Sequence, residues 1–304
     1  RTIKFREKVL QTAPTICTER AQIYTEVYKK HEAKPLIIKR AIALHETLTR
    51  MSIFINDEEL IVGNQASKLR AAPIFPEYAI DWILEELDNF EKRPGDRFYP
   101  SDEAKKQLRE ILPYWKGKTL IEKGYELMPE LMKEIHEAGI IRAEGNLTSG
   151  DGHIAINFEK LLKYGISGYK EIIEEKRRLL DLTKQEDLKK EQFYKASLIA
   201  LDGIKKFILR FAELAKLKSE IEPSVHRKQE LIQIHHVCTN IALEIPSCFY
   251  EALQLTYFLQ LILQIESNGH SVSLGRMDQY LYPFYKNDKN KGKITSDFAK
   301  ELLM

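Results

Sequence analysis

Phe249-Tyr-Glu-Ala-Leu-Gln-Leu-Thr-Tyr-Phe-Leu-Gln-Leu-Ile-Leu-Gln-Ile265 is apolar nearly all round and follows Pro246. A surface helix carries one apolar stripe, whereas a helix that is apolar on every side must be enclosed. The run is shorter than the roughly 18–20 residues of a membrane span. It therefore predicts a buried central helix, one that delivers the polar residues after it into the interior of the fold.

Outward from this segment the pattern stays helical. Lys170 to Lys218 is almost free of Gly and Pro apart from Gly203, is rich in Lys, Glu and Leu, and predicts two long helices broken around Thr183 to Glu186. Further helices are expected near 225–242, 78–90, 101–112 and 122–137, the third of these opened by Ser101-Asp-Glu as cap and acidic first turn. Glu19 to Lys30 and Leu36 to Met51, separated by Pro35, form a helical-hairpin candidate. Asp57-Glu-Glu-Leu-Ile-Val-Gly63 reads as a buried strand entering a loop, with its acidic cluster on an exposed edge. A last helix is capped by Thr295 or Ser296 and runs into Leu302, Leu303 and Met304 without a stop signal, as expected of a chain that continues.

The 304 residues are 43% apolar and 30% charged, enough to bury a sizeable core. No repeat or linker divides them, so residues 1–304 are expected to form one unit. Lys and Arg total 47 against 45 Asp and Glu, a balance of +2 with the signs interleaved, which argues against nucleic acid as a partner. The start lacks the apolar core of a signal peptide, pointing to the cytoplasm and away from a membrane. Cys17, Cys238 and Cys248 include no CxxC pair, so reduced thiols are expected rather than a disulfide framework or structural zinc.

Two polar segments interrupt the helices. One is Asn146-Leu-Thr-Ser-Gly-Asp-Gly-His153; the other is Glu266-Ser-Asn-Gly-His-Ser-Val-Ser-Leu-Gly-Arg-Met-Asp-Gln-Tyr280. Glycine permits positive φ or a close backbone approach, so the polar residues it brackets can be aimed free of helical constraint. The second segment leaves the most apolar helix, which predicts a buried position where its polar groups need partners. Each residue also has a structural reading: Asp151 in an Asx-turn, Ser271 as a helix cap, His270 as a hydrogen-bonded core histidine. Gly150-Asp-Gly-His153 lacks the HxxxH or HExxH spacing of a metal motif, and adjacent His235 and His236 point to different helix faces and read as structural. GxSxG, Walker A and GxGxxG patterns are absent.

Asp57-Glu-Glu-Leu-Ile-Val-Gly-Asn-Gln-Ala-Ser-Lys68, Ile111-Leu-Pro-Tyr-Trp-Lys-Gly-Lys-Thr119, Gly150-Asp-Gly-His153 and Gln264 to Pro283 together resemble the N-terminal part of glycyl radical enzymes of the pyruvate formate-lyase-like type. The likeness spans essentially the whole chain and is strongest to the B12-independent glycerol and propanediol dehydratases. It implies an α/β, helix-rich fold, the N-terminal part of a ten-stranded α/β barrel of two half-barrels. It also implies a glycyl radical installed by a radical-SAM activating enzyme that uses S-adenosylmethionine and an iron–sulfur cluster, a thiyl radical, a small polar substrate such as a diol or glycerol, and a homodimer or higher homo-oligomer. By motif, His153 corresponds to a substrate-contacting histidine and Ser271 to a serine that binds substrate hydroxyls; Asp151 and Asn146 are neighbours that could shape the pocket. The family's catalytic cysteine with its glutamate, and its C-terminal Arg-Val-Ser/Ala-Gly-Tyr-like loop, are absent, and none of the three cysteines sits in the cysteine motif. The chain alone is therefore expected to be inactive and to bind no cofactor. A formate C-acetyltransferase-like enzyme, a choline C–N lyase and an arylacetate decarboxylase are the alternatives within the family; a non-catalytic helical scaffold is the alternative outside it.

Overall fold

The computed structural model describes residues 1–141 and 152–304. Its order is α1 (Thr2–Gln11), β1 (Thr15–Cys17), α2 (Glu19–Lys30), α3 (Leu36–Arg50), β2 (Ala71–Pro73), α4 (Asp81–Glu86), α5 (Asp102–Ile111), α6 (Leu120–Leu127), α7 (Glu130–Glu137), α8 (Phe158–Arg178), α9 (Gln185–Ile221), α10 (Val225–Leu243), α11 (Phe249–Ser267), α12 (Met277–Tyr280), α13 (Tyr282–Asn290) and α14 (Ser296–Leu303). The enclosed central helix is α11, whose Ala252, Leu255, Phe258 and Ile265 are fully buried. Around it α9 packs on α3, α8 and α10. Phe207 and Phe211, one helical turn apart on α9, meet Phe258 with ring centroids 5.9 and 5.3 Å away. A second cluster joins α2, α4 and α5 around Trp115, whose indole N–H donates to Thr25 Oγ1 at 2.9 Å.

Two expected helices are shorter than their patterns. The 122–137 segment is two helices because Pro129 disfavours helical geometry at Met128, which is extended at ψ 130°. The 78–90 segment is helical only over α4, followed by a single 3-10 turn at Phe90–Lys92. Two caps agree with the sequence, Ser101 accepting from the Ala104 N–H and Thr295 from the Phe298 N–H. Gly165, with φ 62°, places a kink inside α8.

The strand expected over 57–63 does not form. Leu60 and Val62 are buried as expected, but no strand lies beside them. The carboxamide of Gln254 on α11 takes that place: its Oε1 accepts from the Val62 N–H and its Nε2 donates to the Val62 carbonyl, each at 2.8 Å. Tyr250 Oη donates to the Leu60 carbonyl. The acidic cluster is also more enclosed than an edge. Burial raises the pKa of Glu59, which accepts from the backbone N–H and side-chain amide of Asn56 at 2.7 and 3.0 Å. The one strand pair among the described residues is β1 with β2, parallel, with Thr15 opposite Ala71 and Cys17 opposite Pro73.

The cysteines are core residues. Cys238 is fully buried, which pushes its thiol well above the ordinary range; the half-buried Cys248 is pushed up to about 11; Cys17 Sγ accepts from the Ser67 N–H at 3.4 Å. His235 is structural as expected, its Nδ1 2.9 Å from the Ala212 carbonyl oxygen.

The α8–α9 hairpin is tied by Arg177, which donates to both carboxylate oxygens of Glu191 at 3.0 and 2.7 Å. Arg177, with Lys195, holds that carboxyl down at about 2. A carboxyl depressed in the folded state stabilises above its unfolded pKa, about 4.3, and loses that contribution as pH falls through the folded value. Glu191→Gln is therefore expected to flatten the pH dependence of stability between about pH 4.5 and 2, by about 1 kcal/mol or less for so shallow a pair. Denaturant midpoints across that range measure it, and unchanged curves would refute it.

Candidate functional site

The site is built on the C-terminal end of α11. Arg20 of α2, buried, donates from Nε to the Ile265 carbonyl at 2.6 Å and from Nη2 to that of Glu266 at 3.1 Å, satisfying acceptors that a helix end leaves open. Its guanidinium also bonds Glu77 and the Ile74 carbonyl and lies 3.7 Å from the Tyr24 ring centroid. Burial opposes the charge, but the Glu77 carboxylate outweighs it, and the Arg20 pKa lies above its ordinary value. The helix stops at Asn268, left-handed at φ 58°, followed by Gly269 at φ 76°.

The two polar segments meet beyond that stop. The His153 N–H donates to the His270 carbonyl at 3.1 Å and the Ser273 N–H to the Ile154 carbonyl at 3.0 Å, with Ala155 paired in parallel to Ser273. Ser271, the residue after His270, thus lies on the segment that the His153 N–H bonds. The imidazoles of His153 and His270 meet edge to face with centroids 5.1 Å apart. His153 and Ser271 have φ 56° and 55°, left-handed conformations that cost non-glycine residues on the order of 1–3 kcal/mol each and persist where surrounding contacts impose them. Gly152 makes the approach possible, because a Cβ there would lie 2.6 Å from the His270 carbonyl oxygen.

Of the sequence-derived site residues, the structure brings the His153 and Ser271 segments together; Asp151 and Asn146 lie outside the described residues. Two expectations are corrected. Ser271 caps no helix, since Val272 to Leu274 run on past the Ile154–Ala155 segment and α12 starts only at Met277, after Gly275. The loop is not buried either: His270 is half-buried, while His153 and Ser271 are exposed. An exposed imidazole and an exposed hydroxyl on paired segments can donate to and accept from a polyhydroxy ligand.

Sequence reasoning missed Gln260 of α11, which donates to the Val272 carbonyl, and Arg20, which donates to the end of that helix; for Gln260 a signal was present. The available signal was that polar residues inside an apolar helix need partners. It also missed an open cleft of about 890 Å³ between β2, Trp82, Phe90 and Arg93 on one side and Gln264 and Asn268 on the other. Neither His153 nor Ser271 lines it. Among the described residues no cluster of three or more His, Cys, Asp or Glu could hold a metal, and no helix is long and apolar enough to cross a membrane.

A helix-rich fold with a buried central helix leading into paired glycine-bracketed loops defines a class, and comparison with known proteins agrees. The family described as "Pyruvate formate lyase-like" matches residues 1–304, and the chain belongs to it, within the glycyl radical enzymes. It is 50% identical over 291 residues to "Probable dehydratase YbiW" of Escherichia coli K12, covering 95% of this chain and 36% of that protein. It is 38% identical to "(2S)-3-sulfopropanediol dehydratase" of Klebsiella oxytoca, covering 99% and 37%. The glycerol-bound B12-independent glycerol dehydratase of Clostridium butyricum superposes with a TM-score of 0.94 at 36% identity, over 97% of this chain and 37% of that one. The chain thus spans little more than a third of the length of these relatives.

Proposed function

We propose that this chain is the N-terminal part of one barrel unit of a cytoplasmic, homo-oligomeric glycyl radical dehydratase that converts a small 1,2-diol or glycerol to an aldehyde by loss of water. The observation that supports the reading is the backbone pairing of the His153–Ala155 segment with the His270–Ser273 segment at the end of the buried helix. A serine hydroxyl offers a short, orientable donor and acceptor, and an imidazole can bond a second hydroxyl and move a proton near neutral pH. The backbone bonds from His153 to His270 and from Ser273 to Ile154 join the two segments before substrate arrives, which lowers the ordering entropy lost on binding. Asn146 and Asp151 would shape the same pocket.

The radical glycine and thiyl cysteine match no motif in this chain. Its own cysteines pack away from the paired loops, Cys238 and Cys248 against the core around α11 and Cys17 beside Ala66 and Ala71. In the whole protein the radical, installed by a radical-SAM activating enzyme, supplies hydrogen-atom abstraction; the residues described above bind and orient the hydroxyls. The isolated chain is expected to be inactive.

The test is anaerobic turnover by the full-length, activated protein. Aldehyde should form from glycerol or 1,2-propanediol. His153→Ala should lower kcat/KM about 100-fold and Ser271→Ala about tenfold, with the glycyl radical EPR signal intact. Clean turnover of choline or an arylacetate instead would overturn the dehydratase reading, and loss of the radical signal in either variant would assign these residues to folding or activation.

A further inference from the structure

We infer that Gln260 is a positioning residue for the paired segments that carry Ser271 and His153, an inference that rests on the function proposed above. Gln260 lies on α11, more than one helical turn before the loop, and is 8% exposed. Its Nε2 donates to the Val272 carbonyl at 2.9 Å. The peptide unit that begins with this carbonyl ends in the Ser273 N–H, which donates to Ile154 at 3.0 Å. In a trans peptide the C=O and N–H point in opposite directions. One rigid plane is therefore pinned at both edges, by the buried helix on one side and by the His153 segment on the other. Ser271 is the residue immediately before that plane's Val272, and His153 immediately precedes the Ile154 that grips it.

The chemistry at position 260 is specific. The Val272 carbonyl can only accept, so the amide must present its NH₂ to it, and the Oε1 is left buried, accepting from no group among the described residues. A buried acceptor without a partner is costly, on the order of 1–3 kcal/mol. A leucine here would fill the space and remove that cost. Stability alone thus gives no reason for the glutamine, whereas the fixed peptide plane does. Gln254, two helical turns earlier, shows the same device applied to Val62.

The test uses the full-length activated protein with Gln260→Leu and Gln260→Glu, read on whichever substrate the native enzyme turns over. Gln260→Leu is expected to lose about ten- to a hundredfold in kcat/KM, with its glycyl radical EPR signal and thermal midpoint preserved. Amide hydrogen exchange in the 268–275 peptide should accelerate at least severalfold, a readout independent of substrate identity. Gln260→Glu can donate to Val272 only when protonated, so its kcat/KM should rise relative to the native enzyme as pH is lowered towards 5. Native kcat/KM and unchanged exchange in Gln260→Leu would overturn the inference, as would an unaltered pH profile in Gln260→Glu or a loss confined to stability. Failure of the native enzyme to dehydrate any diol would overturn the proposed function instead, leaving the exchange and pH readouts to decide on Gln260.

Discussion

Arg20→Met is expected to destabilise the protein by about 3–5 kcal/mol, the cost of leaving one partner of a buried ion pair alone. The side chain of Glu77 is only 12% exposed, so its carboxylate would lose its guanidinium without gaining full hydration. The Ile265, Glu266 and Ile74 carbonyls would lose their donor in the same step, as would the stacking on Tyr24 and Phe75. Arg20→Lys should recover little, because a single ammonium cannot span acceptors arranged around a planar fork. The double variant Arg20→Met/Glu77→Leu should be more stable than Arg20→Met, since removing both charges removes the uncompensated one. Denaturant midpoints measure all three. A shift for Arg20→Met within about 0.5 kcal/mol of native would mean that the pair contributes nothing net.

Gly152→Ala is expected to cost the whole enzyme about 100-fold or more in kcat/KM while sparing most of its stability. The new methyl would sit 2.6 Å from the His270 carbonyl oxygen, a backbone atom held by its own loop, and 2.9 Å from the imidazole. Relief requires the two segments to part, which breaks the His153 N–H bond to that carbonyl and shifts His153 away from the segment that carries Ser271. Overpacking of this kind costs about 1–3 kcal/mol locally. Gly95→Ala is the control, since nothing lies within 4 Å of its added Cβ, and it should behave as native. Native kinetics in Gly152→Ala would show that the paired loops are not the substrate-contacting surface.

Long amphipathic helices were legible because their period runs through many turns: Glu19–Lys30 ends where its pattern ends, and the gap between Arg178 and Gln185 falls at the expected break. The three-residue strands were not, for Thr15–Cys17 and Ala71–Pro73 are too short to show alternation. The segment around Val62 misled because a buried apolar run is identical in sequence whether a strand or a side-chain amide satisfies its backbone. At the site, glycine beside short polar residues marked both loops. Their pairing left no mark, since it runs through backbone atoms of residues far apart in sequence, and the residues that hold it, Arg20 and Gln260, sit inside helices where only their missing partners could have drawn notice.

The bond between Gln254 and Val62 has a consequence for how the chain finds its place. A strand beside another strand can slip by two residues and recover an equivalent ladder, with every side chain still on its proper face. The Gln254 carboxamide, at one height on a rigid helix, engages the N–H and C=O of Val62, while Tyr250 donates to the Leu60 carbonyl and Arg227 to the carbonyls of Asn56 and Glu59. Any slip of the 52–70 segment would have to re-form all of these unevenly spaced bonds at the same time. The irregular stretch is thereby addressed to a unique position, more strictly than the strand it was expected to be.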